Sequence, residues 1–378
     1  MYFNKTKIGI LGGGQLGKML CLSAANLHLD VSILDIAPCS AQKYCTEFVE
    51  GSFKNYEDVL AFGRKMDVIT VEIEHVNIEA LEVLEKEGKF IHPSTSALKT
   101  IIDKGTQKEF YLQHHIPTAD TLFFQRNSDL KKHFEIQFTP FVWKSRTGGY
   151  DGKGVIYVRD AKTLESLPDQ PCIAETPIKI KKEISVLLAR NVSGDMAFFP
   201  ATEMIFDDSA NLLLFQTCPA DISNYKELEA QYWSEKIATE LGIVGLLAVE
   251  FFLTDDDKLI VNEVAPRPHN SGHHTLEACV TSQFEQHLRA ILGLPLGSTE
   301  LRKPAALLNL LGAEGFSGEP NYKNYESVLN IEDAHIHLYG KQTTKPFRKM
   351  GHLTVLNDDI HKALEIVKKI HAEIEISC

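Results

Sequence analysis

Two glutamates predicted to face each other across a short hairpin are candidates for proton sharing or metal binding. The segment GLLAVEFFLTDDDKLIVNEVAPRP reads as two strands joined by a turn at Asp256-Asp257. In that antiparallel register Glu250 lies directly opposite Glu263, and cross-strand Cβ atoms are about 4.5–5.5 Å apart. Two carboxylates this close, in apolar surroundings, share a proton or bind a cation. With the oxygen of Asn262 beside them, they predict a Mg²⁺ site that phosphate and water complete. The alternative is a surface hairpin whose glutamates face solvent.

A strand lysine and a glycine-rich loop indicate where phosphate would bind. In FVWKSRTGGYDGKGV, Lys144 shares one strand face with Val142 and Arg146, and the loop follows directly. A lysine in that place is a natural phosphate ligand, and backbone N–H groups of such a loop can close over phosphate oxygens. The P-loop pattern Gly-x-x-x-x-Gly-Lys-Ser/Thr does not occur, and an ordinary hairpin turn is the alternative. Polar residues interleaved with glycines favour binding: Gly148, Gly149, Tyr150, Asp151, Gly152, Lys153 and Gly154.

The stretch NEVAPRPHNSGHH extends this chemistry beyond the hairpin. Arg267 and His269 follow it in a stiff, extended turn set by two prolines. The planar fork of arginine suits a small oxyanion such as carboxylate, bicarbonate or phosphate. His273 and His274 could be zinc ligands together with His269, but no cysteine or suitably spaced carboxylate completes that site, so we disfavour zinc.

Two further stretches supply weaker signals. In CIAETPIKIKKEI, one apolar strand ends at Glu175 and the next begins at Glu183. A strand end with a free amide can read an adenine edge, and a carboxylate nearby can accept from ribose hydroxyls, although acidic strand ends are mostly solvated. The stretch HLYGKQTTKPFRKMGHLTV packs four cations between two glycines, which favours a ligand-binding turn and a solvated face about equally. These cations are Lys341, Lys345, Arg348 and Lys349.

The N-terminal segment KIGILGGGQLGKMLCLSAANLHLDVSILD carries the pattern of a dinucleotide-binding fold. Gly12, Gly14 and Gly17 follow an apolar strand, and Asp35 ends the next apolar run. In dinucleotide-binding proteins such an acidic residue holds the ribose. The pattern therefore predicts a βαβ unit and raises the question of whether NAD is the ligand.

The elements that position these residues change character along the chain. Through the first hundred residues strands at 8–11, 31–34 and 68–71 alternate with helices at 16–26 and 78–87, which indicates a parallel sheet with covering helices. From about Pro117 strand-like runs follow one another, which is typical of a mostly antiparallel α+β region. The remaining predicted elements are a helix from Ser94, helices at 225–241 and 282–292, and a compact C-terminal piece ending in a helix at 358–374.

The composition sets outer limits on the function. A chain of 378 residues is too long for one ordinary core and predicts two or three domains. With 44% hydrophobic and 24% charged residues it has a soluble, globular composition, and a net charge of −12 argues against a nucleic-acid partner. The seven cysteines are scattered without Cys-x-x-Cys, which indicates no disulfide framework. With no signal peptide and no apolar run of roughly eighteen residues, we expect a reduced, cytosolic location.

Together these strings resemble the ATP-grasp superfamily and, within it, the 5-(carboxyamino)imidazole ribonucleotide synthetases of purine biosynthesis. The resemblance runs through GILGGGQLGKM, EIEHV, DKGTQK, KSRTGGYDGKG, NEVAPRPHNSGHHTLEAC, GLPLG and YGK…FRKMGH. It implies an α/β and α+β ATP-grasp fold: a Rossmann-like pre-ATP-grasp domain (1–103), an ATP-grasp domain (104–303) with a small β-lid at about 117–177, and a small C-terminal domain (304–378). It further implies ATP, bicarbonate and 5-aminoimidazole ribonucleotide as substrates, carboxyphosphate as intermediate, Mg²⁺ as cofactor and a cytoplasmic homodimer.

The resemblance also implies roles for individual residues. Mg²⁺ would be held by Glu250 and Glu263. ATP would be bound by Lys104, Lys144, Gly149, Tyr150, Asp151, Gly152, Lys153, Gly154, Val155, Glu175, Thr176, Pro177, Ile178, Glu183, Asn262 and Glu263. The carboxylation centre would contain Tyr150, Asp151, Lys153, Arg267 and His269. The ribonucleotide would be bound by Gln15, Leu16, Glu72, Lys341 and Arg348, so that the glycine turn receives this substrate and not NAD.

Two positions depart from the family pattern, and three rival functions stay open. Lys104 stands where many relatives have arginine after aspartate, which keeps the charge without the bidentate geometry. Phe206 replaces a nucleotide-contacting histidine. The first rival, an NAD-dependent oxidoreductase, would leave the Glu250 and Glu263 pair unexplained. The second is a formate-dependent glycinamide ribonucleotide transformylase or related carboxylate–amine ligase, and the third is a non-enzymatic nucleotide sensor.

Overall fold

The N-terminal part of the computed structural model is a parallel sheet covered by helices. The structure describes residues 5–136, 139–149, 154–207 and 212–378. The strands here are β1 (Ile8–Leu11), β2 (Val31–Asp35), β3 (Glu47–Glu50), β4 (Val68–Val71) and β5 (Phe90–His92), and the helices are α1 (Gln15–Asn26), α2 (Tyr56–Gly63) and α3 (Ile78–Lys86). The strand order is β3-β2-β1-β4-β5, and all pairings are parallel.

Burial and capping explain why these elements form. Every residue of β1 and β4 is buried, and strands covered on both faces read as continuous apolar runs. Helices α2 and α3 begin after Asn55 and Asn77, whose side chains accept hydrogen bonds from Asp58 N and Ala80 N. The alternation predicted for this part is confirmed, with α1 beginning one residue earlier than expected and with α2 and β3 as additional elements.

Four helices and a small antiparallel sheet follow. The elements are α4 (Thr95–Ile102), α5 (Lys104–Gln113), β6 (Thr121–Phe124), α6 (Asn127–Ile136), β7 (Phe141–Ser145), β8 (Val155–Val158), α7 (Ala161–Glu165) and β9 (Cys172–Glu175). The strand order is β6-β9-β7-β8, with antiparallel pairing throughout. This sheet has a hydrophobic core of its own around Trp143 and Phe141. The small sheet can therefore position its residues independently of the other hydrophobic cores of the protein.

The rest of the described chain is built around a large central sheet. Its elements are β10 (Ile180–Arg190), β11 (Met196–Phe198), β12 (Thr202–Asp207), β13 (Leu212–Cys218), α8 (Asn224–Glu240), β14 (Gly245–Thr254), β15 (Leu259–Ala265), α9 (Thr275–Ala278), α10 (Gln283–Ile291), β16 (Ala305–Leu311), β17 (Asn321–Lys323), α11 (Tyr325–Val328), β18 (Ala334–Leu338), β19 (Lys349–Leu356), α12 (Ile360–Glu373) and β20 (Glu375–Ser377). The order is β15-β14-β10-β12-β13-β16-β19-β18, and β11 pairs with β10. Strands β17 and β20 form a separate pair.

The C-terminal strands continue the central sheet. Strand β16 pairs antiparallel with β13, placing Phe215 opposite Leu308, and α12 packs into the same hydrophobic cluster. The helix expected at 358–374 is confirmed as α12. The continuity of the sheet was not predicted, because pairing between strands far apart in the chain leaves no local sequence signal. It brings the start of β19 to the central cavity.

The hairpin of β14 and β15 contains the predicted glutamate pair, but the strand register on the turn side of this pair differs from the predicted one. Glu250 is the cross-strand partner of Glu263, as predicted. Phe251, however, pairs with Val261, so Asn262 is an extra residue at a β-bulge. A regular hairpin with the observed turn would have placed Glu250 opposite Asn262. Among the described residues, no helix is long and apolar enough to cross a bilayer.

Candidate active site

The three parts of the chain meet at a cavity of about 1020 Å³. Its walls are the N-terminal end of α1, the small sheet, the β14–β15 hairpin and the start of β19. The predicted site residues that line it are Gln15, Leu16, Glu72, Lys104, Lys144, Gly149, Val155, Glu175, Thr176, Pro177, Ile178, Glu183, Glu250, Asn262, Glu263, Arg267, His269 and Lys341. The fold therefore gathers residues from both ends of the chain around one space.

Glu250 and Glu263 form an acidic pair on the cavity wall. Their side chains are 15% and 42% exposed, and both line the cavity. Burial, together with the neighbouring Glu263 and Glu183, raises the pKa of Glu250. The ammonium of Lys104 lowers the pKa of Glu263 in spite of its burial. A pair with such divergent pKa values is stabilised by one added proton or one added cation.

Lys104 and its neighbours close one side of this pair. Lys104 is the first residue of α5, and its Nζ forms an ion pair with Glu263 Oε2. Asp103 caps the same helix, accepting from Gly105 N at 2.8 Å. Arg146 binds Asp103 with two parallel contacts, Nε to Oδ1 at 2.8 Å and Nη2 to Oδ2 at 2.9 Å. A bidentate arginine is thus present beside Lys104, supplied by a residue that the site prediction did not include.

The donor set at this wall fits Mg²⁺. Glu250 and Glu263 supply carboxylate oxygens and Asn262 a neutral amide oxygen, the ligand type that this ion prefers. In the part of the chain that the structure describes, no group of three or more His, Cys, Asp or Glu side chains is arranged to hold a metal. The protein would therefore contribute two carboxylates, and phosphate and water would complete the shell.

Lys144 is buried at the end of β7 and faces the cavity, as predicted. Its Nζ lies 2.7 Å from Glu175 Oε2 and 3.0 Å from Asn262 Oδ1. Glu175 ends β9 and is only 4% exposed. The carboxylate of Glu175 is therefore paired with Lys144. Glu175 would contribute to a base pocket through its position at the end of β9.

The region around the end of β9 has the character of a base pocket. Thr176 N–H already donates to Asp120 O at 2.9 Å, and Pro177 has no N–H. Ile178 consequently carries the first amide of this segment that an adenine edge can use. Glu183 lies beside it, and burial raises its pKa to about 7, although Lys144 acts in the opposite direction. Apolar side chains complete the lining: Met204, Phe206 and Phe252.

The glycine turn before α1 is occupied by the protein's own carboxylates. Asp35 Oδ2 accepts from Gly13 N at 2.7 Å, and Glu72 Oε1 accepts from Leu16 N at 3.3 Å. A Cβ at Gly12, whose φ is +103°, would lie 2.7 Å from Glu72 Oε2, and one at Gly14 would overlap Glu72 Oε1. The carboxylate of Glu72 thus lies where a dinucleotide pyrophosphate meets the helix N-terminus. Because a second anion there would be repelled, the geometry disfavours NAD.

Arg267 and His269 are oriented by acidic partners. Arg267 Nη2 lies 2.8 Å from Glu74 Oε1, and its Nη1 donates to Pro268 O at 3.1 Å. His269 Nε2 lies 3.4 Å from Glu250 Oε1. Glu74 lines the cavity and was missed as a site residue, although it stands two positions after Glu72 in the EIEHV string.

Of the C-terminal cations, the structure brings Lys341 and Lys349 to the cavity. Lys341 Nζ donates to Lys349 O at 2.7 Å. Arg348 does not line the cavity, and its Nη1 donates to Thr343 O at 2.7 Å, so its role at the ribonucleotide phosphate stays a prediction. Strand β19 begins at Lys349, and successive side chains of a strand point in opposite directions. Of Arg348 and Lys349, only Lys349 therefore faces the cavity.

Part of the predicted loop lies outside the described residues. These residues are Tyr150, Asp151, Gly152 and Lys153. On either side of them, Gly149 and Val155 line the cavity, and Gly154, with φ +79°, accepts at its carbonyl from Ser145 N at 2.9 Å. The described residues on both sides of the loop therefore lie at the cavity.

Comparison with known families identifies the class to which this fold and site belong. Residues 109–284 match the ATP-grasp domain, residues 5–102 match the ribonucleotide synthetase preATP-grasp domain, and residues 305–366 match the phosphoribosylaminoimidazole carboxylase C-terminal domain. The chain is an ATP-grasp ligase of α/β and α+β architecture with these three parts in order. The rival class of NAD-dependent oxidoreductases is thereby set aside.

Individual relatives narrow the class to one family. The structure resembles that of N5-carboxyaminoimidazole ribonucleotide synthetase from Thermotoga maritima, with TM-score 0.91 and 39% identity over 98% of this chain and 99% of that one. The enzyme from Aspergillus clavatus in complex with ADP and 5-aminoimidazole ribonucleotide gives TM-score 0.89 and 35% identity over 98% of both chains. Phosphoribosylaminoimidazole carboxylase from Candida albicans is 38% identical over 94% of this chain, which spans 65% of that relative's length. The chain belongs to the N5-carboxyaminoimidazole ribonucleotide synthase family.

Proposed function

We propose that this chain carboxylates 5-aminoimidazole ribonucleotide with bicarbonate at the expense of ATP, giving 5-(carboxyamino)imidazole ribonucleotide, ADP and phosphate in purine biosynthesis. The observation that carries the proposal is one cavity that joins a two-carboxylate cation site and its lysines to a glycine turn closed against dinucleotides. The Aspergillus clavatus relative, whose complex holds ADP and the same ribonucleotide, supports this pair of ligands.

ATP would lie between the small sheet and the β14–β15 hairpin. Glu250 and Glu263 would hold Mg²⁺, which when bound supplies positive charge to the phosphates. Lys104 and Lys144 would add cations beside the γ-phosphate, because both ammonium groups already lie at this wall. Phosphoryl transfer depends on such positioning and charge stabilisation more than on covalent chemistry from the protein. The loop 149–155 would cover the phosphates.

The carboxylation centre would lie around Arg267 and His269. In the proposed reaction a bicarbonate oxygen forms a bond to the γ-phosphorus and ADP leaves. The exocyclic amine of the ribonucleotide then bonds to the carboxyl carbon, loses a proton, and phosphate leaves. Arg267, fixed by Glu74, presents its fork to the small oxyanion. Because carboxyphosphate hydrolyses readily, water has to be excluded, and Tyr150, Asp151 and Lys153 of the covering loop would complete the centre.

The ribonucleotide would enter beside α1. Gln15 and Leu16 line this side, and the carboxylate of Glu72 is placed to accept from hydroxyl groups and not to bind an anion. The cationic end is formed by Lys341 and Lys349, which would meet the phosphate of the ribonucleotide. This arrangement would fix the direction in which the substrate lies.

We also propose the domain division 1–103, 104–303 and 304–378, in accord with the gaps between the matched families. A homodimer in the cytoplasm is proposed by analogy with the family, and seven scattered cysteines suit a reducing compartment.

The test is ADP release from ATP and bicarbonate, with and without 5-aminoimidazole ribonucleotide. Parallel reactions contain glycinamide ribonucleotide plus formate. Stimulation by 5-aminoimidazole ribonucleotide, dependent on bicarbonate, is expected. Stimulation by the second pair alone would overturn the substrate assignment and favour a transformylase.

A further inference from the structure

A buried lysine that does not line the cavity forms an ion pair with Glu175, one of the residues predicted to bind ATP. Lys108 on α5 is 2% exposed and does not line the cavity. Its Nζ lies 2.9 Å from Glu175 Oε1 and 2.5 Å from Thr118 Oγ1. Lys144 contacts the other oxygen of the same carboxylate, Oε2, at 2.7 Å. Glu175 is therefore shared between one lysine that faces the cavity and one that does not.

These contacts form a closed ring through four elements. Thr118 Oγ1 donates to Val261 O at 3.0 Å, and the next residue, Asn262, accepts from Lys144 at 3.0 Å. The ring thus links α5, β9, β7 and β15, the elements that carry the lysines, Glu175 and Glu263. Lys108 also lies one helical turn after Lys104, so α5 directs its first lysine to Glu263 and its second to Glu175.

The charge balance of the ring shows what Lys108 contributes. Lys144 and Glu175 alone would make a neutral buried pair, in which the ammonium is fully committed to the carboxylate. Adding Lys108 gives the three groups a net charge of +1. Because electrostatic interactions are strong at buried sites, that charge reaches the cavity mainly through Lys144, the member that faces it.

We infer that Lys108 is a positioning residue for ATP: by holding one oxygen of Glu175, it leaves Lys144 with positive charge for the phosphates. The inference rests on the proposed function only in taking ATP phosphates to lie at Lys144. A role limited to packing would instead predict lower stability with no selective effect on ATP.

The ionisation of Lys108 supplies a readout that packing would not change. Burial lowers the pKa of Lys108 to about 8; Glu175 opposes this shift, and Lys144 and Lys104 reinforce it. Above this pH Lys108 becomes neutral, and Lys144 and Glu175 are left as a neutral pair. The Kd for ATP should therefore rise with pH from about 8 upward, and in Lys108→Arg, where the charge persists, this rise should be absent.

The experiment measures Mg-ATP binding by calorimetry and the KM values for ATP and ribonucleotide. In Lys108→Met we expect the Kd for ATP to rise about tenfold, as for loss of one charged hydrogen-bonding partner, with little change in the KM for ribonucleotide. In the double variant Lys108→Met/Glu175→Gln the carboxylate charge is removed as well. The positive charge of Lys144 is then no longer balanced by Glu175, so the affinity for ATP should recover to within about threefold of the parent value. Lys108→Arg should resemble the parent at neutral pH.

The matched control is Lys226→Met, because Lys226 is also buried and paired, with Glu229 at 2.8 Å, but its acidic partners do not belong to the ring. It should leave ATP affinity unchanged. Unchanged ATP affinity in a folded Lys108→Met variant, equal losses in both lysine variants, or a double variant weaker than Lys108→Met would overturn the inference. Parent protein that binds ATP without carboxylating the ribonucleotide would refute only the proposed function.

Discussion

Two partly buried carboxylates, Glu72 and Glu263, line the same cavity and are stabilised in opposite ways. Glu72 lies over the N-terminus of α1, where Leu16 N–H donates to it; burial raises its pKa, and Arg267 only partly opposes this. Glu263 lies against the ammonium of Lys104, which lowers its pKa. The same residue type is thus a weakly compensated hydrogen-bond acceptor at one wall and a persistent anion at the other. Whether a glutamate at this cavity acts as a hydrogen-bond acceptor or as a persistent anion therefore depends on the positive group that it contacts.

This difference explains why a dinucleotide-type pattern occurs in a protein of this family. The glycines provide the close approach that a pyrophosphate requires, but the approaching group is a side chain of the same chain. At the hairpin the ammonium of Lys104 contacts Glu263, and burial beside this second carboxylate raises the pKa of Glu250, which favours binding of a cation. The first site excludes a pyrophosphate because the carboxylate of Glu72 occupies the turn, whereas the second favours a bound cation.

The largest effect should come from Glu263→Gln, which removes the anion and keeps the side-chain size. We expect ATP turnover to fall by roughly 10²-fold or more, because a ligand of the proposed cation and the partner of Lys104 are both lost. ADP release over a range of Mg²⁺ concentrations is the measurement. Parent-level turnover at every Mg²⁺ concentration would show that the two carboxylate sites do not differ as described.

Gly14→Ala tests the first site through stability. Gly14 has φ −69°, so alanine adds no backbone strain, and the cost arises from overlap of its methyl group with Glu72. Urea unfolding should show a loss of about 1–3 kcal/mol. In a Glu72→Ala background the same substitution should cost much less, since the overlapping group is gone. Equal costs in both backgrounds would mean that Glu72 does not occupy the turn.

Glu72→Gln should separate the two substrates. The KM for 5-aminoimidazole ribonucleotide should rise about tenfold, as expected when an anionic acceptor becomes neutral, while the Kd for ATP stays at the parent value. Steady-state kinetics and calorimetry provide both numbers. A matched change in ATP affinity would place Glu72 at the nucleotide instead. Tight NADH binding by the parent protein would revive the oxidoreductase hypothesis.

The smallest effect should come from Asp35→Asn. The amide oxygen of asparagine can still accept from Gly13 N, and only the exposed hydrogen bond from Ile36 N to the other oxygen is lost. The free energy of unfolding should change by less than about 1 kcal/mol, and the KM for ribonucleotide should stay unchanged. A large rise in that KM would show that Asp35 contacts a ligand.

Local patterns predicted the scaffold of the site well. The buried strands of the N-terminal sheet and the cross-strand pair of Glu250 and Glu263 are confirmed. The bulge at Asn262 was not predicted, because alternation specifies which residues share a face but not where an extra residue enters the ladder. Lys349 at the cavity was not predicted for a related reason, since a run of cations does not show where the strand begins.

Buried charges were the hardest feature to predict. Lys108 and Glu74 both hold a partner at the site, yet in the sequence each is an ordinary charged residue, most often found in solvent. Only the positions of Glu175 and Arg267 show why these charges are buried.

Local sequence patterns predicted most of the helices and strands in their order, the glycine turn before α1 and the cross-strand pairing of two glutamates. Each of these depends on periodicity or on residues close together in the chain. Which positive group each carboxylate contacts depends instead on the packing of distant segments: Lys104 for Glu263, Lys108 and Lys144 for Glu175, and the N-terminus of α1 for Glu72. Those pairings join segments far apart in the chain, and their strength depends on separations of a few ångströms that no local pattern encodes.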